Sequence, residues 1–407
     1  MGDVCDWILS GLAPPMDCQE ERPPEREDFQ HHRAQSLDIL RGLKESESEK
    51  ITGDSLSSVV LLCSQHSSCS WEDTETEVWA WSSEEHREIS DQLISVIETR
   101  FSPLSRLLTE TEARMFRSLL SQLQPSLVQF SRQPGSVASL VWLAHQLLQP
   151  GELDPLVPLL LPHLLHWLDC WLPPTKVSGC HLAAHIALHS SPSQLMFYGR
   201  AEVVAEPLTR LLAGSTEVVV LRAAVRPLLA LTTVRQGETC PATPGPADSL
   251  LAAVISSLEL SSDQERREIF CDLARDLLAV LGPGAARWVS ALSSLIISML
   301  DSFLPPPPTS AFSILTWLAG QCPDCVGRET TDLVPALVRY LYRASWSEEN
   351  HSSHSGAARL ADVRRCLETL ATCDRQTSAR LCRGLANTSV NKTFDSLTRD
   401  FLVNINL

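Results

Sequence analysis

The chain has 407 residues, 44% of them hydrophobic and 20% charged, enough for a large buried core or an extended repeat array. Its net charge is −16, and residues 1–100 contain 22 of the 49 acidic residues but only 8 of the 33 basic ones. The rest of the chain is near neutral. This argues against nucleic-acid binding, because phosphate contacts need a basic face.

The composition also bears on compartment. The opening MGDVCDWILSGL lacks the basic lead of a secretory signal peptide, and thirteen cysteines are scattered along the chain. We therefore expect free, mostly buried thiols in a reducing compartment. The expected location is the cytoplasm, with the nucleus as a second location. We find no uncharged apolar run of about 20 residues, so we do not expect a membrane-spanning helix.

Residues 1–80 are weakly patterned. They contain two proline pairs, the acidic run EERPPERED at 20–28, and a serine-rich stretch at 57–70. We predict an acidic, weakly ordered N-terminal region over 1–80, with short helices, and a helical-repeat domain over 81–407. The acidic region either solvates a mobile segment or binds a basic partner surface.

Helical spacing begins after residue 81. Ser82 with Glu85, and Thr109 with Glu112, form capping boxes that predict two helix starts, the second helix ending before Pro125. Further helices are predicted over 136–148, 155–170, 177–189, 201–213, 216–232, 248–258, 263–281 (opened by a Ser262–Glu265 capping box), 285–303, 311–320, 333–343, 357–372 and 376–385.

This helix rhythm predicts the fold class. No convincing strand alternation is present, the loops are mostly short, and helix pairs recur at roughly 35–45 residues, the spacing of helical repeats. We predict an all-α fold, an α-solenoid of irregular HEAT/armadillo-like antiparallel helix pairs. A compact irregular α-domain is the alternative.

The junction between the predicted helices 177–189 and 201–213 has the clearest local signals. Ser191 is a good N-cap, Pro192 suits the first helical position, and Gly199 can end the short helix in the left-handed conformation. Tyr198 and Arg200 flank this glycine, and both residue types often anchor interfaces, so they are our candidate partner-binding residues. The alternative is that Tyr198 packs and Arg200 caps.

Candidate chemistry is sparse. His181, His185 and His189 share one helical stripe, with His163 and His166 on the preceding helix, but no HExxH glutamate accompanies them. We interpret them as histidines of a helix–helix seam or of the solvent face.

The single CxxC, Cys322–Cys325, has no second pair at zinc-site spacing and no βαβ setting, so we expect it to end a helix. We find no phosphate-binding loop, nucleophile elbow or kinase motif, and hence predict no catalytic, cofactor or metal residues.

The junction also carries a resemblance. Residues 178–208 resemble the Tel-two-interacting protein two family, the smaller of the two interacting subunits of the Triple-T complex. The shared features are Gly179-Cys180, His185-Ile186, Pro192 and Tyr198-Gly199-Arg200-Ala201. The stretch 156–171 resembles the family's leucine-proline segment and 266–300 its later helices, so the likeness covers about 153–385.

The resemblance implies a non-enzymatic α-solenoid. It implies, as partners, the other two Triple-T subunits, the ninety-kilodalton heat-shock chaperone with its adaptor complex, and the large phosphatidylinositol-3-kinase-related kinases whose maturation this co-chaperone supports. Two alternatives stay open. One is a metal-dependent hydrolase built on His181, His185 and His189. The other is an armadillo-like cargo-binding adaptor, which needs a concave face lined by repeated Asn, Trp or acidic residues.

Overall fold

The computed structural model describes residues 2–15, 25–46, 51–67, 80–237, 243–302, 306–344, 354–378 and 380. Within these ranges every regular element is helical, which confirms the all-α prediction for them. The helices are α1 (Gly2–Leu9), α2 (Gln30–Glu45), α3 (Leu56–His66), α4 (Glu84–Arg100), α5 (Leu104–Val128), α6 (Pro134–His145), α7 (Pro150–Leu153), α8 (Val157–Leu168), α9 (Pro173–His189), α10 (Pro192–Met196), α11 (Arg200–Gly214), α12 (Val218–Gln236), α13 (Pro246–Leu260), α14 (Gln264–Leu281), α15 (Val289–Asp301), α16 (Thr309–Gln321), α17 (Pro323–Ala344) and α18 (His354–Cys373), with 3₁₀ turns at Arg26–Phe29, Phe197–Gly199 and Gly282–Trp288.

The chain divides into two compact units, Met1–Val234 and Arg235–Leu407. Helices α1–α3 belong to the first unit and pack there against later helices. The boundary predicted at residue 80 stays a prediction. Much of the predicted N-terminal region, and most of the last predicted helix, 376–385, lies outside the described residues.

Helices α3, α6 and α9 form the centre of the first unit. Helix α6 packs against α3 on one side and α9 on the other, and α8 and α9 form a helix pair. Every residue of α6 from Gly135 to Ala144 is buried. This burial on all faces explains why the segment VASLVWLA lacks an amphipathic pattern, since it has no solvent side to make polar.

Two glycines permit close approach in this unit. A Cβ on Gly179 of α9 would lie 3.2 Å from Leu168 Cδ2 on α8, and one on Gly135 of α6 would lie 2.9 Å from Ala13 Cβ. Glycine therefore sits where a neighbouring chain segment leaves no room for a side chain.

The N-terminal residues supply part of this core. The ring of Phe29 packs edge-on against Trp81, with 5.9 Å between ring centroids, and both side chains are buried beside Ala138 of α6. The Trp81 indole donates to the Gln65 carbonyl at 2.9 Å, and the Gln65 side-chain oxygen accepts from the Ala13 amide at 2.7 Å. Apolar burial and these long-range hydrogen bonds tie the acidic part of the chain to the first unit.

The helices of the second unit also pack against one another in pairs and rows. Helices α14, α16 and α18 pack in one row, while α13 pairs with α14 and α15 packs on α17. The buried Asp248 carboxylate joins α13 to the 3₁₀ turn that follows α14, accepting from the Trp288 indole at 2.7 Å and pairing with Arg287 at 3.3 Å. A buried charge held this way fixes the position of the turn.

The stretch Gln264–Asp301 is long and apolar enough, by length and composition alone, to cross a membrane. In the structure it is two helices, α14 and α15, separated by a 3₁₀ turn in which Gly282 has a φ of 52°. Helix α14 packs against α13 and α16, and α15 packs against α17. The apolar residues of both helices pack in these contacts. Buried core helices of this kind are commonly as apolar as membrane-spanning ones.

Several predicted helix boundaries are wrong. Helix α5 begins at Leu104, not Thr109, and continues past Pro125, although Ala113 within it has a left-handed φ of 58°. Helix α17 begins at Pro323, not residue 333, because its first turns are polar and hide the apolar stripe. The N-cap of α14 is Asp263, not Ser262: its carboxylate accepts from the Arg266 amide at 2.8 Å.

Candidate functional site

The turn between α9 and α11 is built from the residues that the sequence marks. Ser191 caps α10, its hydroxyl accepting from the Gln194 amide at 3.4 Å, as predicted. Asp154, just after α7, fixes the same serine by accepting from its amide at 3.0 Å and its hydroxyl at 2.6 Å. The Gln194 side chain does not complete a capping box. Its oxygen accepts instead from the Arg200 guanidinium at 2.6 Å.

Tyr198 has the most unusual conformation in this turn. Tyr198 and Gly199 both have left-handed backbones, with φ of 54° and 65°. Glycine adopts this conformation readily, but for tyrosine it costs roughly 1–2 kcal/mol. The Tyr198 side chain is 82% exposed, so core packing does not offset this cost. Strain of this kind in an exposed aromatic residue points to a function.

The neighbouring side chains hold the aromatic group in place. The rings of Phe197 and Tyr198 lie 4.0 Å apart between centroids at an angle of 51°, and the Arg200 guanidinium lies 5.6 Å from the Phe197 ring centroid. Ring contact and cation–π attraction limit the motion of both rings. From the sequence, Tyr198 could either pack in the core or be presented to a partner, and the structure presents it to solvent. Arg200 is half-buried and braces the turn.

Other exposed apolar side chains lie on the segments that flank this turn, the end of α9 and the start of α11, and on the connection after α6, which is hydrogen-bonded to α9. We call this set the rim surface: Leu148, Leu188, Met196, Phe197, Tyr198 and Val203. Two ties hold its parts together, the Asp154–Ser191 pair and a hydrogen bond from the His189 ring to the Leu148 carbonyl at 3.2 Å. Grouped exposed apolar residues of this kind mark interaction sites.

The histidine stripe lies beneath the rim surface. His185 donates from Nε2 to the Leu147 carbonyl at 2.9 Å, and His189 donates from Nδ1 to that of Leu148. His145 of α6 donates from Nδ1 to Val141 O at 2.7 Å, and its ring lies 4.1 Å from that of His185. His185 and His189 thus satisfy carbonyls that follow the C-terminal end of α6, which have no helical partners.

The same burial governs the charge of these histidines. Burial, followed by neighbouring histidines and Arg226, lowers the pKa of His145 to about 4. Burial, followed by Arg226, lowers the pKa of His181 to about 4, and burial, followed by His145 and His189, lowers that of His185 to about 3. These three rings are therefore neutral at pH 7. Among the described residues no group of three or more His, Cys, Asp or Glu side chains is arranged to hold a metal ion.

The remaining predicted residues lie elsewhere. His166 packs edge-on against Phe130 and His163 lies beside Trp167, so neither joins the histidine stripe. Cys322 is the buried C-cap of α16, as the sequence predicts, and burial raises the pKa of its thiol. A thiol with a raised pKa is a poor nucleophile.

A second histidine group, in the N-terminal helices, was not predicted from the sequence. His66 of α3 and His86 of α4 are buried with stacked rings, 4.7 Å apart between centroids, and His32 of α2 is buried near them. The rings bind serine hydroxyls, with Ser83 Oγ 2.6 Å from His86 Nδ1 and Ser82 Oγ 3.2 Å from His66 Nδ1. Asp154 was missed as well, because its partner lies 37 residues away along the chain.

Comparison with known proteins gives fold similarity alone. No protein-family model matches the chain, and no curated protein matches it. Solved structures of a karyopherin do: Kap121p bound to Nup53p (TM-score 0.61, 13% identity, 100% of this chain), and Kap121p bound to the extreme C-terminus of the protein phosphatase Cdc14p (TM-score 0.61, 14% identity, 94% of this chain). The matches span 37% of the length of each Kap121p chain. They confirm the predicted α-solenoid of HEAT-like helix pairs.

Proposed function

We propose that this protein is a non-enzymatic helical-repeat scaffold that binds partner proteins through the rim surface. The observation that carries the proposal is Tyr198, an aromatic side chain held exposed by a strained backbone and braced by its neighbours. Aromatic residues and arginine are the commonest anchors of protein interfaces, and a preformed turn reduces the entropy lost on binding.

We further propose that the scaffold is the smaller interacting subunit of a Triple-T-like co-chaperone, which supports the maturation and stability of phosphatidylinositol-3-kinase-related kinases. The support is the family resemblance, whose densest part is the same turn that presents Tyr198 and is braced by Arg200. The partners would then be the other two Triple-T subunits, the heat-shock chaperone machinery and the kinases, in the cytoplasm and the nucleus.

Co-purification tests this assignment. The tagged chain is expressed in cells of the organism that the protein comes from, and bound proteins are identified by mass spectrometry. We expect both other Triple-T subunits and at least one of the large kinases, in amounts that survive stringent washing. Recovery of neither subunit and no kinase would contradict the co-chaperone assignment.

A cargo-binding adaptor is the second candidate, and the similarity to peptide-bound karyopherin structures favours it. The two candidates differ in the surface used. An adaptor of that kind would bind extended peptides along a helix-lined groove, whereas the scaffold uses the rim surface. Capture of short peptides that is unaffected by changes at Tyr198 would favour the adaptor.

The histidine stripe supports a structural role in preference to a hydrolytic metal site. His145, His185 and His189 each use one ring nitrogen on a backbone carbonyl, and they stack side by side instead of pointing at a common centre. Metal analysis of the purified protein tests this. Stoichiometric zinc or iron that is lost on His185→Gln substitution would favour the hydrolase.

A further inference from the structure

Three imidazole rings form a continuous row under the rim surface. His145, His185 and His189 lie with centroid separations of 4.1 and 4.6 Å, along the seam between α6 and α9. We call these three residues the histidine row. We propose that the histidine row makes the rim surface sensitive to pH, keeping it assembled when the rings are neutral and releasing it when they are protonated. This inference concerns the surface proposed above and rests on that function.

Hydrogen bonds connect the histidine row to the rim surface. The row's hydrogen bonds to the Leu147 and Leu148 carbonyls join the connection after α6 to α9. Leu148 belongs to the rim surface, and His189 is two residues before Ser191, where the Tyr198 turn begins. Displacing the row would therefore separate Leu148 from Leu188 and loosen the turn. The Asp154–Ser191 pair would then be the remaining tie.

Protonation of His145 and His185 is unfavourable chiefly because both rings are buried, and next because neighbouring imidazoles, with Arg226 near His145, oppose a positive charge. The groups that act on His145 and His185 are His181 and His189 of α9 and Arg226 of α12, all of which are neutral or positive. The titratable residues on the elements packed against α9 are Glu152 of α7, His163 and His166 of α8, and Arg200, Glu202, Glu206 and Arg210 of α11, with Asp154 after α7 bound to Ser191 and Asp169 after α8 paired with Arg210. Of the elements packed against α6, α3 carries His66 and α5 carries Arg106, Glu110, Glu112, Arg114 and Arg117. A proton on His185 would sit beside two further imidazoles in a site with little water.

The sign of the effect follows from linkage. Burial holds the pKa of His145 at about 4 and that of His185 at about 3, below the value of 6.5 for an exposed histidine. The opened state therefore binds protons that the assembled state does not, so assembly is favoured above pH 6.5 and is lost as pH falls below it. Between pH 7.5 and 5.5 each of these two histidines shifts the opening equilibrium about tenfold, or about 100-fold together.

Hydrogen exchange on the full-length protein tests the inference without a partner. Exchange is followed by mass spectrometry at pH 7.5, 6.5 and 5.5, and is corrected for the intrinsic pH dependence of amide exchange. We expect protection in residues 146–149 and 190–200 to fall by about 100-fold at pH 5.5, while α16 and α17 keep theirs. Constant protection in the two segments would overturn the proposal.

A matched pair of variants makes the test specific. His145→Gln with His185→Gln keeps an amide that can donate to the same carbonyls but cannot be protonated, so protection should no longer depend on pH. His163→Gln is the control, since His163 is also partly buried but lies beside Trp167, outside the row. An unchanged pH response in the double variant would overturn the proposal, and the wild-type experiment decides it alone should the double variant not fold.

Failure of this inference is distinguishable from failure of the proposed function. Loss of partner capture at neutral pH in Tyr198 variants reports on the surface itself, whereas pH-dependent protection reports on the row. A rim surface that binds partners but shows no pH response would contradict only the inference made here.

Discussion

The carboxylate of Asp154 accepts both the amide and the hydroxyl of Ser191, at 3.0 and 2.6 Å, and thereby ties the connection after α7 to the turn that presents Tyr198. The hydroxyl that Asp154 binds is also the N-cap of α10. One carboxylate thus sets both the start of a helix and the position of the rim surface.

Asp154→Ala should destabilise the first unit by about 1–2 kcal/mol, because it removes two charge-assisted hydrogen bonds and weakens a helix cap. Urea unfolding followed by tryptophan fluorescence measures this change. Asp169→Ala is the control, since its ion pair with Arg210 is more than half exposed and should contribute less than about 0.5 kcal/mol. Equal effects of the two substitutions would show that Asp154 has no special role.

Tyr198→Gly should stabilise the protein while weakening partner binding. Glycine relieves the left-handed strain at a φ of 54°, and the larger entropy of the unfolded glycine chain offsets part of this gain, which leaves about 0.5–1 kcal/mol. Tyr198→Ala keeps the strain and removes the same ring, so it should bind as weakly without the gain in stability. Thermal unfolding separates the two variants, and identical melting temperatures would argue against strain at this residue.

The local signals in the sequence were sufficient for the turn but not for its exposure. Ser191, Pro192 and Gly199 predict a capped helix and its end, because capping and left-handed glycine depend on neighbouring residues only. Whether Tyr198 is buried depends on which helices pack beside the turn, and that information is spread over residues far apart in the chain. The same limit applies to Asp154.

For the histidines too, the position on the helix was predictable from the sequence, but the contacts with other segments were not. The i, i+4 spacing placed His181, His185 and His189 on one face of α9, as the structure has them. Their acceptors are carbonyls about 40 residues earlier, so the sequence could not distinguish seam histidines from metal ligands. The fold class was predictable because helix periodicity recurs throughout the chain, whereas α17 began earlier than predicted because a polar first turn weakens that signal.

The N-terminal histidine group should make the whole first unit labile to acid. Burial lowers the pKa of His66 and His86, and lowers that of His32 to about 4. The unfolded chain therefore binds more protons below pH 6.5, so the free energy of unfolding should fall with pH, and His32 alone should account for about 1.4 kcal/mol of the fall between pH 7.5 and 5.5. Urea unfolding at pH 7.5, 6.5 and 5.5 gives this slope.

A single substitution tests the assignment of that slope. His32→Gln should reduce the fall between pH 7.5 and 5.5 by about 1.4 kcal/mol, because one titrating group is removed. His31→Gln, at the exposed neighbouring position, should leave it unchanged. An unaltered slope in His32→Gln would place the acid sensitivity elsewhere.

In the second unit, Asp248→Ala should be strongly destabilising. The carboxylate is buried and accepts from the Gly245 amide and the Trp288 indole, both at 2.7 Å, as well as pairing with Arg287. Its loss leaves the Trp288 indole and the Gly245 amide without this acceptor and removes the counter-charge of Arg287, which we expect to cost about 2–4 kcal/mol in urea unfolding. Asp301→Ala removes the half-exposed pairs with Arg339 and Arg343 and should cost less than about 1 kcal/mol.

Partner capture by matched surface variants tests the central claim most directly. In the test variant Phe197→Ala and Tyr198→Asn remove both exposed rings, and asparagine tolerates the left-handed backbone. In the control, Val128→Ala and Val219→Ala remove apolar side chains that are 72% and 59% exposed, where α5 ends and α12 begins. We expect the test variant to lose at least tenfold in the amount of the proposed Triple-T partner subunits captured from cells, while the control and the wild type capture equal amounts. Equal capture by the test variant, at unchanged stability, would contradict a scaffold that binds through the rim surface.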